Sequence, residues 1–87
     1  MPFVYILRCA DGSLYTGSAV DLARRLSEHG AGRASRYTRS RLPVTLVWSE
    51  ETSSWGGALR AEHRIKLLRR REKEELVRCG RGTAGIP

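Results

Sequence analysis

The sequence predicts a single α+β domain whose elements follow one another in the order β-β-α-β-α-α. Three observations support this prediction. Two apolar segments flank a turn near the N-terminus, a third apolar segment follows Pro43, and the remaining regular segments have helical spacing. A chain of 87 residues can bury one modest core and has no room for a second.

The first two strands are predicted to form a β-hairpin. Residues 3–9 (FVYILRC) are rich in β-branched and aromatic side chains and predict the first strand. Residues 10–13 (ADGS) carry a turn signal, after which residues 14–17 (LYTG) predict the second, antiparallel strand. Residues 44–50 (VTLVWSE) have the same character and predict a third strand. Its Trp48 is expected in the core.

The first strand is predicted to be the central one. Because side chains alternate across a strand, Tyr5 shares a face with Leu7, while Val4 and Ile6 point to the other face. Both faces are therefore apolar, as expected for a strand that is covered on both sides.

The first helix is predicted over residues 22–29, with Ser18 or Asp21 as its N-cap and Gly30 at its end. Arg25 and His29 are four residues apart, so they lie together on one flank of this helix. A guanidinium and an imidazole are thereby placed side by side.

The second half of the chain is predicted to contain one loop, two helices and a tail. Residues 30–42 have no apolar period and predict a surface loop. From Ala58 onward helical spacing is regular, with Glu62 on the apolar side. A final helix is predicted at residues 72–78, and residues 80–87 (GRGTAGIP) are expected to be a flexible tail.

The charge of the chain predicts a polyanionic partner. The formal net charge is +7, and 14 of the 16 basic residues are arginine, whose planar fork suits phosphate. Six arginines lie between positions 24 and 41 against one acid, Glu28. This clustering favours nucleic acid over the alternative of a merely basic protein.

Two aromatic residues leave alternatives open. Tyr37 lies between Arg36 and Arg39, where it predicts either a substrate arm that stacks on a base or a solvated loop with one anchoring aromatic. Trp55 is either a hydrophobic anchor at the start of a helix or an exposed stacking residue.

The sequence does not support a disulfide framework, a structural zinc site or a membrane-spanning segment. Cys9 and Cys79 have no CxxC spacing and no accompanying ligand pattern, which argues against a disulfide framework and a structural zinc site. No apolar segment approaches 18 residues and no signal peptide is recognisable, so a cytoplasmic protein is expected.

Taken together, the motifs resemble the GIY-YIG nuclease superfamily over about residues 3–77. The resemblance is greatest to small stand-alone members and extends to the catalytic domain of nucleotide-excision-repair endonucleases. It rests on a set of short motifs in the family's order, namely Val4-Tyr5-Ile6, Tyr15-Thr16-Gly17, Asp21-Leu22 with Arg25 and His29, and Ala58-Leu59 with Glu62 and Lys66. Each motif is weak alone, and their order makes the match specific.

The resemblance implies a three-stranded antiparallel sheet flanked by helices, in a nuclease domain that covers residues 1–79. It also implies metal-dependent hydrolysis of phosphodiester bonds, with DNA favoured over RNA and low sequence specificity or selectivity for DNA structure. The implied catalytic residues are Tyr5, Tyr15, Arg25, His29 and Glu62. Glu62 would bind a single Mg²⁺ or Mn²⁺, because these ions prefer oxygen ligands.

The general base is left open between two residues. The resemblance suggests Tyr5, but a tyrosine of pKa about 10 is only about 0.1% ionised at pH 7. Its pKa must therefore fall, with help from Arg25, or Tyr5 only orients the water. His29, with an ordinary pKa of about 6.5, is the competitor.

Contacts with nucleic acid are expected from a larger set of residues, comprising Gly17, Arg24, Arg33, Arg36, Tyr37, Arg39, Arg41 and Lys66. Each site residue also has an ordinary structural explanation, such as core packing for the tyrosines or pairing of Glu62 with Lys66. Two alternative functions stay open. One is a catalytically weak or inactive nucleic-acid adaptor of the same fold, and the other is an RNA-associated structural protein.

Overall fold

The computed structural model describes residues 1–79, so the predicted tail at residues 80–87 lies outside the described residues. Its elements are β1 (Phe3–Arg8), β2 (Leu14–Ala19), α1 (Leu22–Gly30), α2 (Arg36–Arg39), β3 (Thr45–Glu51), α3 (Trp55–Lys66) and α4 (Arg70–Cys79). The α+β class and the three-stranded antiparallel sheet are confirmed. One short helix, α2, is added to the predicted order.

The sheet has the strand order β2-β1-β3, which confirms that β1 is central. Its two faces carry separate apolar clusters. On one face Val4 and Ile6 pack with Trp48, and with residues of α3 and α4. On the other face Tyr5 and Leu7 pack with residues of α1. The sheet is therefore the middle layer between two pairs of elements.

The predicted element boundaries shift at several points. β2 extends two residues beyond Gly17, so Ser18 lies within the strand and Asp21 is the N-cap of α1. The interval predicted as a loop contains α2, which is capped by Ser35. α3 begins three residues before Ala58, since the Ser54 hydroxyl accepts a hydrogen bond from Gly57. Local caps decided the starts of the three helices.

Gly12 allows the tight turn between β1 and β2. Its φ of 87° lies in the left-handed region that favours glycine. The neighbouring Asp11 carboxylate accepts hydrogen bonds from both the backbone N–H and the hydroxyl of Ser13. The turn therefore orders itself through local contacts.

Polar contacts attach α4 to the hairpin. Arg8 donates two hydrogen bonds to Glu74, at 2.7 and 3.1 Å, and Arg70 donates to the same carboxylate at 2.9 Å. Arg70 also donates to the carbonyl of Gly12. Hydrogen bonds from Arg8, followed by those from Arg70, lower the pKa of Glu74 to about 2. Glu74 therefore joins α4 to β1, and Arg70 joins the same helix to the turn.

Two further observations bear on the predictions. Cys9 is buried and Cys79 is exposed, and neither forms a disulfide. Within residues 1–79, no helix combines the length and the apolar character needed to cross a membrane.

Glu74→Gln should lower the melting temperature at pH 7 and have little effect at pH 2. The pKa of Glu74 lies below its ordinary value of 4.5, so its ionised form stabilises the fold above pH 4.5. That contribution is lost as the pH falls from 4.5 towards 2. Thermal unfolding followed by circular dichroism at several pH values measures the difference.

Glu75→Gln is the matched control, because Glu75 pairs with Arg78 on the same helix and not with the sheet. Equal losses for the two variants at pH 7 would contradict a linking role for Glu74.

Candidate active site

The candidate residues come from both faces of the sheet and meet at its edge strand, β2. Tyr15 and Gly17 share the face of Tyr5, as their pairing with β1 requires. Ser18 points to the opposite face, where its hydroxyl donates a short hydrogen bond to Glu62 of α3. The site is therefore a junction across an edge strand and does not lie on one surface.

The Tyr5 ring lies directly against the backbone of Gly17. A Cβ atom at Gly17 would lie 2.6 Å from the Tyr5 hydroxyl oxygen and 3.1 Å from the Tyr15 ring. Real Cβ atoms do not come so close to another heavy atom, so a side chain here would displace Tyr5. The glycine that closes the second motif is needed for close approach.

A hydrogen-bonded chain continues from Tyr5 into α1 and α2. The Tyr5 hydroxyl lies 2.9 Å from Nε2 of His29, and Nδ1 of His29 lies 2.9 Å from the Thr38 hydroxyl. All three side chains are fully buried, with 0% exposure. The Thr38 hydroxyl also lies 3.3 Å from the carbonyl of Ser35.

One arrangement of protons satisfies every group in this chain. Tyr5 donates to Nε2 of His29, Nδ1–H of His29 donates to Thr38, and Thr38 donates to the Ser35 carbonyl. The opposite tautomer would leave the Tyr5 proton without this acceptor, whereas the Ser35 carbonyl would keep its hydrogen bond from the Arg39 N–H. Since unpaired buried polar groups are costly, we assign the Nδ1–H tautomer to His29.

The pKa values fit this neutral arrangement. Burial raises the pKa of Tyr5 to about 12, repulsion by Tyr15 adds to the rise, and the nearby Arg25 charge only partly opposes it. Burial, with a smaller effect of Arg25, lowers the pKa of His29 below 6.5. The fall in pKa that a free phenolate base requires is therefore absent, and both groups are neutral at pH 7.

Aromatic contacts extend from the Tyr5–His29–Thr38 hydrogen bonds towards the surface. The Tyr15 ring meets His29 edge-on at 5.3 Å and stacks on Tyr37 at 6.0 Å. The Arg41 guanidinium lies over the Tyr37 ring, 3.9 Å from its centroid. Tyr37 is still 38% exposed, so these contacts anchor the ring without covering it, and stacking on a nucleic-acid base stays a prediction.

The predicted phosphate-binding arginines fall into two groups. Arg41 is half-buried and forms an ion pair with Asp11 at 3.1 Å, which joins the end of α2 to the hairpin turn. Arg33, Arg36 and Arg39 are exposed and form no ion pair with any residue of the described part of the chain. The exposed group is free to contact phosphates.

Arg24 and Arg25 both form ion pairs with the same acid, Glu28. Glu28 lies 3.4 Å from Arg24 and 3.2 Å from Arg25. Arg24 is largely exposed, while Arg25 is closer to Tyr5 and influences its pKa. A phosphate that binds Arg25 must compete with Glu28.

Glu62 lies on α3 with its side chain 20% exposed. Besides the Ser18 contact, its carboxylate forms an ion pair with Lys66 at 2.7 Å, the ordinary pairing expected from their spacing. Its negative charge also slightly raises the pKa of Tyr5, so the two groups are electrostatic neighbours. Lys66 thus contacts Glu62 in the free protein.

The donor set fits one hard divalent cation. Glu62 supplies a partly exposed carboxylate, and Ser18 supplies a hydroxyl oxygen beside it. Among residues 1–79 there is no cluster of three or more histidine, cysteine or acidic side chains that could bind a metal. Water and phosphate oxygens would therefore complete an oxygen shell, as is usual for Mg²⁺.

Sequence reasoning missed Thr38 and Ser18 as partners of the site residues. Ser35 has the signal of a helix cap, and it could have revealed the short helix that carries Thr38. Nothing in the sequence links Thr38 to His29 or Ser18 to Glu62, because 9 and 44 residues separate these pairs.

Residues 1–75 match the family model described as the GIY-YIG catalytic domain. The chain belongs to the GIY-YIG family. This match covers every candidate catalytic residue named above and confirms the resemblance found in the motifs. The GIY-YIG catalytic domain is typical of nucleases, which is the coarse functional class of this chain.

Similar GIY-YIG relatives have the name UPF0213 protein. One from Natronomonas pharaonis is 49% identical over 75 residues, which cover 86% of this chain and 88% of the relative. One from Halobacterium salinarum is 49% identical over 76 residues, covering 87% and 99%. The solution NMR structure of a UPF0213 protein from Bacillus halodurans has a TM-score of 0.61 and 43% identity, covering 98% and 92%.

Gly17→Ala should destabilise the fold by about 1 to 3 kcal/mol, because the added methyl overlaps the Tyr5 hydroxyl. Urea unfolding measures this loss. Gly30→Ala is the control, since nothing lies within 4 Å of a Cβ there and its effect should be within about 1 kcal/mol. Similar stability of both variants would contradict close packing at Gly17.

Thr38→Val should destabilise the fold by about 1 to 3 kcal/mol, because it leaves the Nδ1–H of the buried His29 without an acceptor. The ¹⁵N chemical shifts of the imidazole should move away from the Nδ1–H tautomer in this variant. Thr38→Ser keeps the hydroxyl and should preserve both shifts. Unchanged imidazole shifts in Thr38→Val would overturn the tautomer assignment.

Proposed function

We propose that this chain is an endonuclease that uses one divalent metal ion, Mg²⁺ or Mn²⁺, to hydrolyse phosphodiester bonds in DNA. We further propose low sequence specificity or selectivity for DNA structure. The observation that carries the proposal is the meeting of Glu62 with the Tyr5–His29 pair at the edge strand β2. The family match supports nucleic acid as the substrate.

The roles of the charged residues follow from the chemistry. Hydrolysis of a phosphodiester builds negative charge on the phosphate oxygens, and a positioned guanidinium stabilises that charge. Arg25 would do so after leaving Glu28 for the phosphate. Glu62 would hold the cation, which supplies polarisation of the phosphate and activation of water when bound.

Tyr5 can take part without forming a free phenolate. As water attacks phosphorus, its proton passes to the Tyr5 oxygen while the Tyr5 proton passes to Nε2 of His29. The new P–O bond forms as the bond to the leaving sugar oxygen breaks, and that oxygen takes up a proton from solvent. Tyr5 stays neutral throughout, so its pKa of about 12 does not prevent this transfer.

His29 would then carry the proton as an imidazolium. Its Nδ1–H keeps the hydrogen bond to Thr38, which maintains the ring orientation during the transfer. Tyr15 packs edge-on against the same ring and supports it from the surface side. In this mechanism Tyr15 positions His29 and does not transfer a proton.

Substrate binding would use the exposed arginines of α1 and the α2 region. Arg24, Arg33, Arg36 and Arg39 offer guanidinium groups that suit phosphate oxygens. Lys66 contacts Glu62 in the free protein and would transfer to a phosphate when a cation neutralises that carboxylate. Arg41 supports the site through Tyr37 and Asp11.

One observation favours the alternative of a catalytically weak or inactive adaptor. Tyr5 is fully buried and Glu62 is paired with Lys66, so the free protein presents a closed arrangement. An adaptor would bind nucleic acid through the same arginines without opening it. The cleavage experiment below separates the two functions.

Glu62→Gln should reduce DNA cleavage at least about 100-fold, because the amide lacks the charge that holds the cation. The variant keeps an oxygen for the Ser18 hydroxyl, so its fold and its DNA binding should be retained. The measurement is the cleavage rate of labelled DNA in Mg²⁺ and in Mn²⁺, with single-stranded, duplex, flap and branched substrates. Glu50→Gln, on the opposite edge strand, is the matched control.

Cleavage by Glu62→Gln at the wild-type rate would show that the metal assignment is wrong. If the wild type cuts nothing yet binds DNA with steep salt dependence, the adaptor function replaces the nuclease. Preference for RNA, with indifference to changes at Tyr5 and Glu62, would point to the RNA-associated structural protein.

A further inference from the structure

A cavity adjoins the candidate site at the C-terminal end of β2. Its volume is ≈ 440 Å³, within the range of about 300 to 1,000 Å³ typical of small-ligand sites. The walls come from three elements, with Val20 after β2, Arg24, Arg25 and Glu28 on α1, and Trp55 at the start of α3. The proposed function uses Arg24 and Arg25 of this set, both for phosphate, and assigns no role to Val20 or Trp55.

Trp55 gives the cavity an aromatic wall. Trp55 is 44% exposed, and it belongs to neither of the two apolar clusters on the sheet. The neighbouring Val20 is 64% exposed. Since Trp55 is not used by the core, the structure favours the stacking alternative over the anchoring one.

The polar groups of the cavity suit a nucleotide. Arg24 and Arg25 offer guanidinium donors, which suit phosphate oxygens. The Glu28 carboxylate beside them can accept hydrogen bonds from the amino or imino groups of a base. A flat aromatic surface next to cations is the combination that binds single-stranded nucleic acid.

The cavity shares Arg25 with the candidate active site. Arg25 lines the cavity and also lies close enough to Tyr5 to influence its pKa. Trp55 precedes Glu62 by seven residues on α3, so the two lie on the same helical face about 10 Å apart along the axis. A phosphate near Arg25 would bring a neighbouring base close to Trp55.

We propose that this cavity binds the base of an unpaired nucleotide next to the scissile phosphate, with the base stacked on Trp55. The inference rests on the proposed nuclease function and specifies its substrate class. A base inside a duplex is stacked between its neighbours and must leave the helix to reach the indole, at a cost that an unpaired base avoids. Single-stranded DNA and flaps should therefore be cut in preference to perfect duplex.

The first test measures base stacking without cleavage. Single-stranded oligonucleotides in EDTA should quench the tryptophan fluorescence of the wild type, because Trp55 is exposed while Trp48 is buried. The Trp55→Phe protein, which keeps only Trp48, should show little quenching with the same DNA. Equal quenching in both proteins, or none in the wild type at saturating DNA, overturns the stacking site.

The second test measures cleavage. Trp55→Ala should reduce cutting of single-stranded DNA by roughly 5- to 150-fold, the range expected for loss of one stacked base. Cutting of perfect duplex should change little, and Trp55→Phe should keep most of the activity on single strands. Leu59→Ala is the control, since Leu59 is also 44% exposed on α3 but lies outside the cavity.

An abasic site placed beside the cut position completes the design. In the wild type it should reduce cleavage as Trp55→Ala does, and in Trp55→Ala it should have little further effect. Additive losses would overturn the proposed contact between that base and Trp55.

The outcomes separate the two proposals. If the wild type cuts DNA but Trp55→Ala and Leu59→Ala behave alike, the stacking site is wrong and the nuclease function stands. If no metal supports cleavage but quenching by single strands depends on Trp55, the site is supported as a binding site and the nuclease function fails.

Discussion

The close contact between the Tyr5 ring and the Gly17 backbone is the constraint on which the rest of the structure depends. It requires β1 and β2 to pair in one register, and it requires β2 to lack a side chain at that point. The Tyr5 hydroxyl then lies within hydrogen-bonding distance of His29, which connects the sheet to α1. A shift of one residue in register would move Tyr5 to the other face.

The edge position of β2 explains how residues from two faces form one site. Tyr5 and His29 belong to the α1 side of the sheet, whereas Glu62 and Ser18 belong to the α3 side. In a central strand, neighbours on both sides would separate these groups. The candidate charges are balanced in the free protein, with Arg25 beside Glu28 and Glu62 beside Lys66. A polyanionic substrate and a cation would exchange these internal pairs for intermolecular ones.

The α2 region serves the fold and the site through the same contacts. Thr38 accepts a hydrogen bond from His29 in the interior, while Tyr37 contacts Tyr15 and Arg41 closer to the surface. Arg41 also pairs with Asp11 in the hairpin turn. The arginine-rich segment was expected to be a loop, but contacts of its own side chains order it. Its remaining exposed arginines therefore project from an ordered backbone.

Local pattern determined much of this protein. Alternation in β1 identified the central strand and the orientation of Tyr5, four-residue spacing brought Arg25 and His29 together, and motif order identified the family. These features depend on neighbouring residues or on the linear sequence, so the sequence alone contains them. Only the tertiary structure decided that Thr38 orients His29, that Tyr37 contacts Arg41, and that burial raises the pKa of Tyr5. Each of these depends on desolvation or on contacts between residues far apart in the chain, which no local spacing encodes.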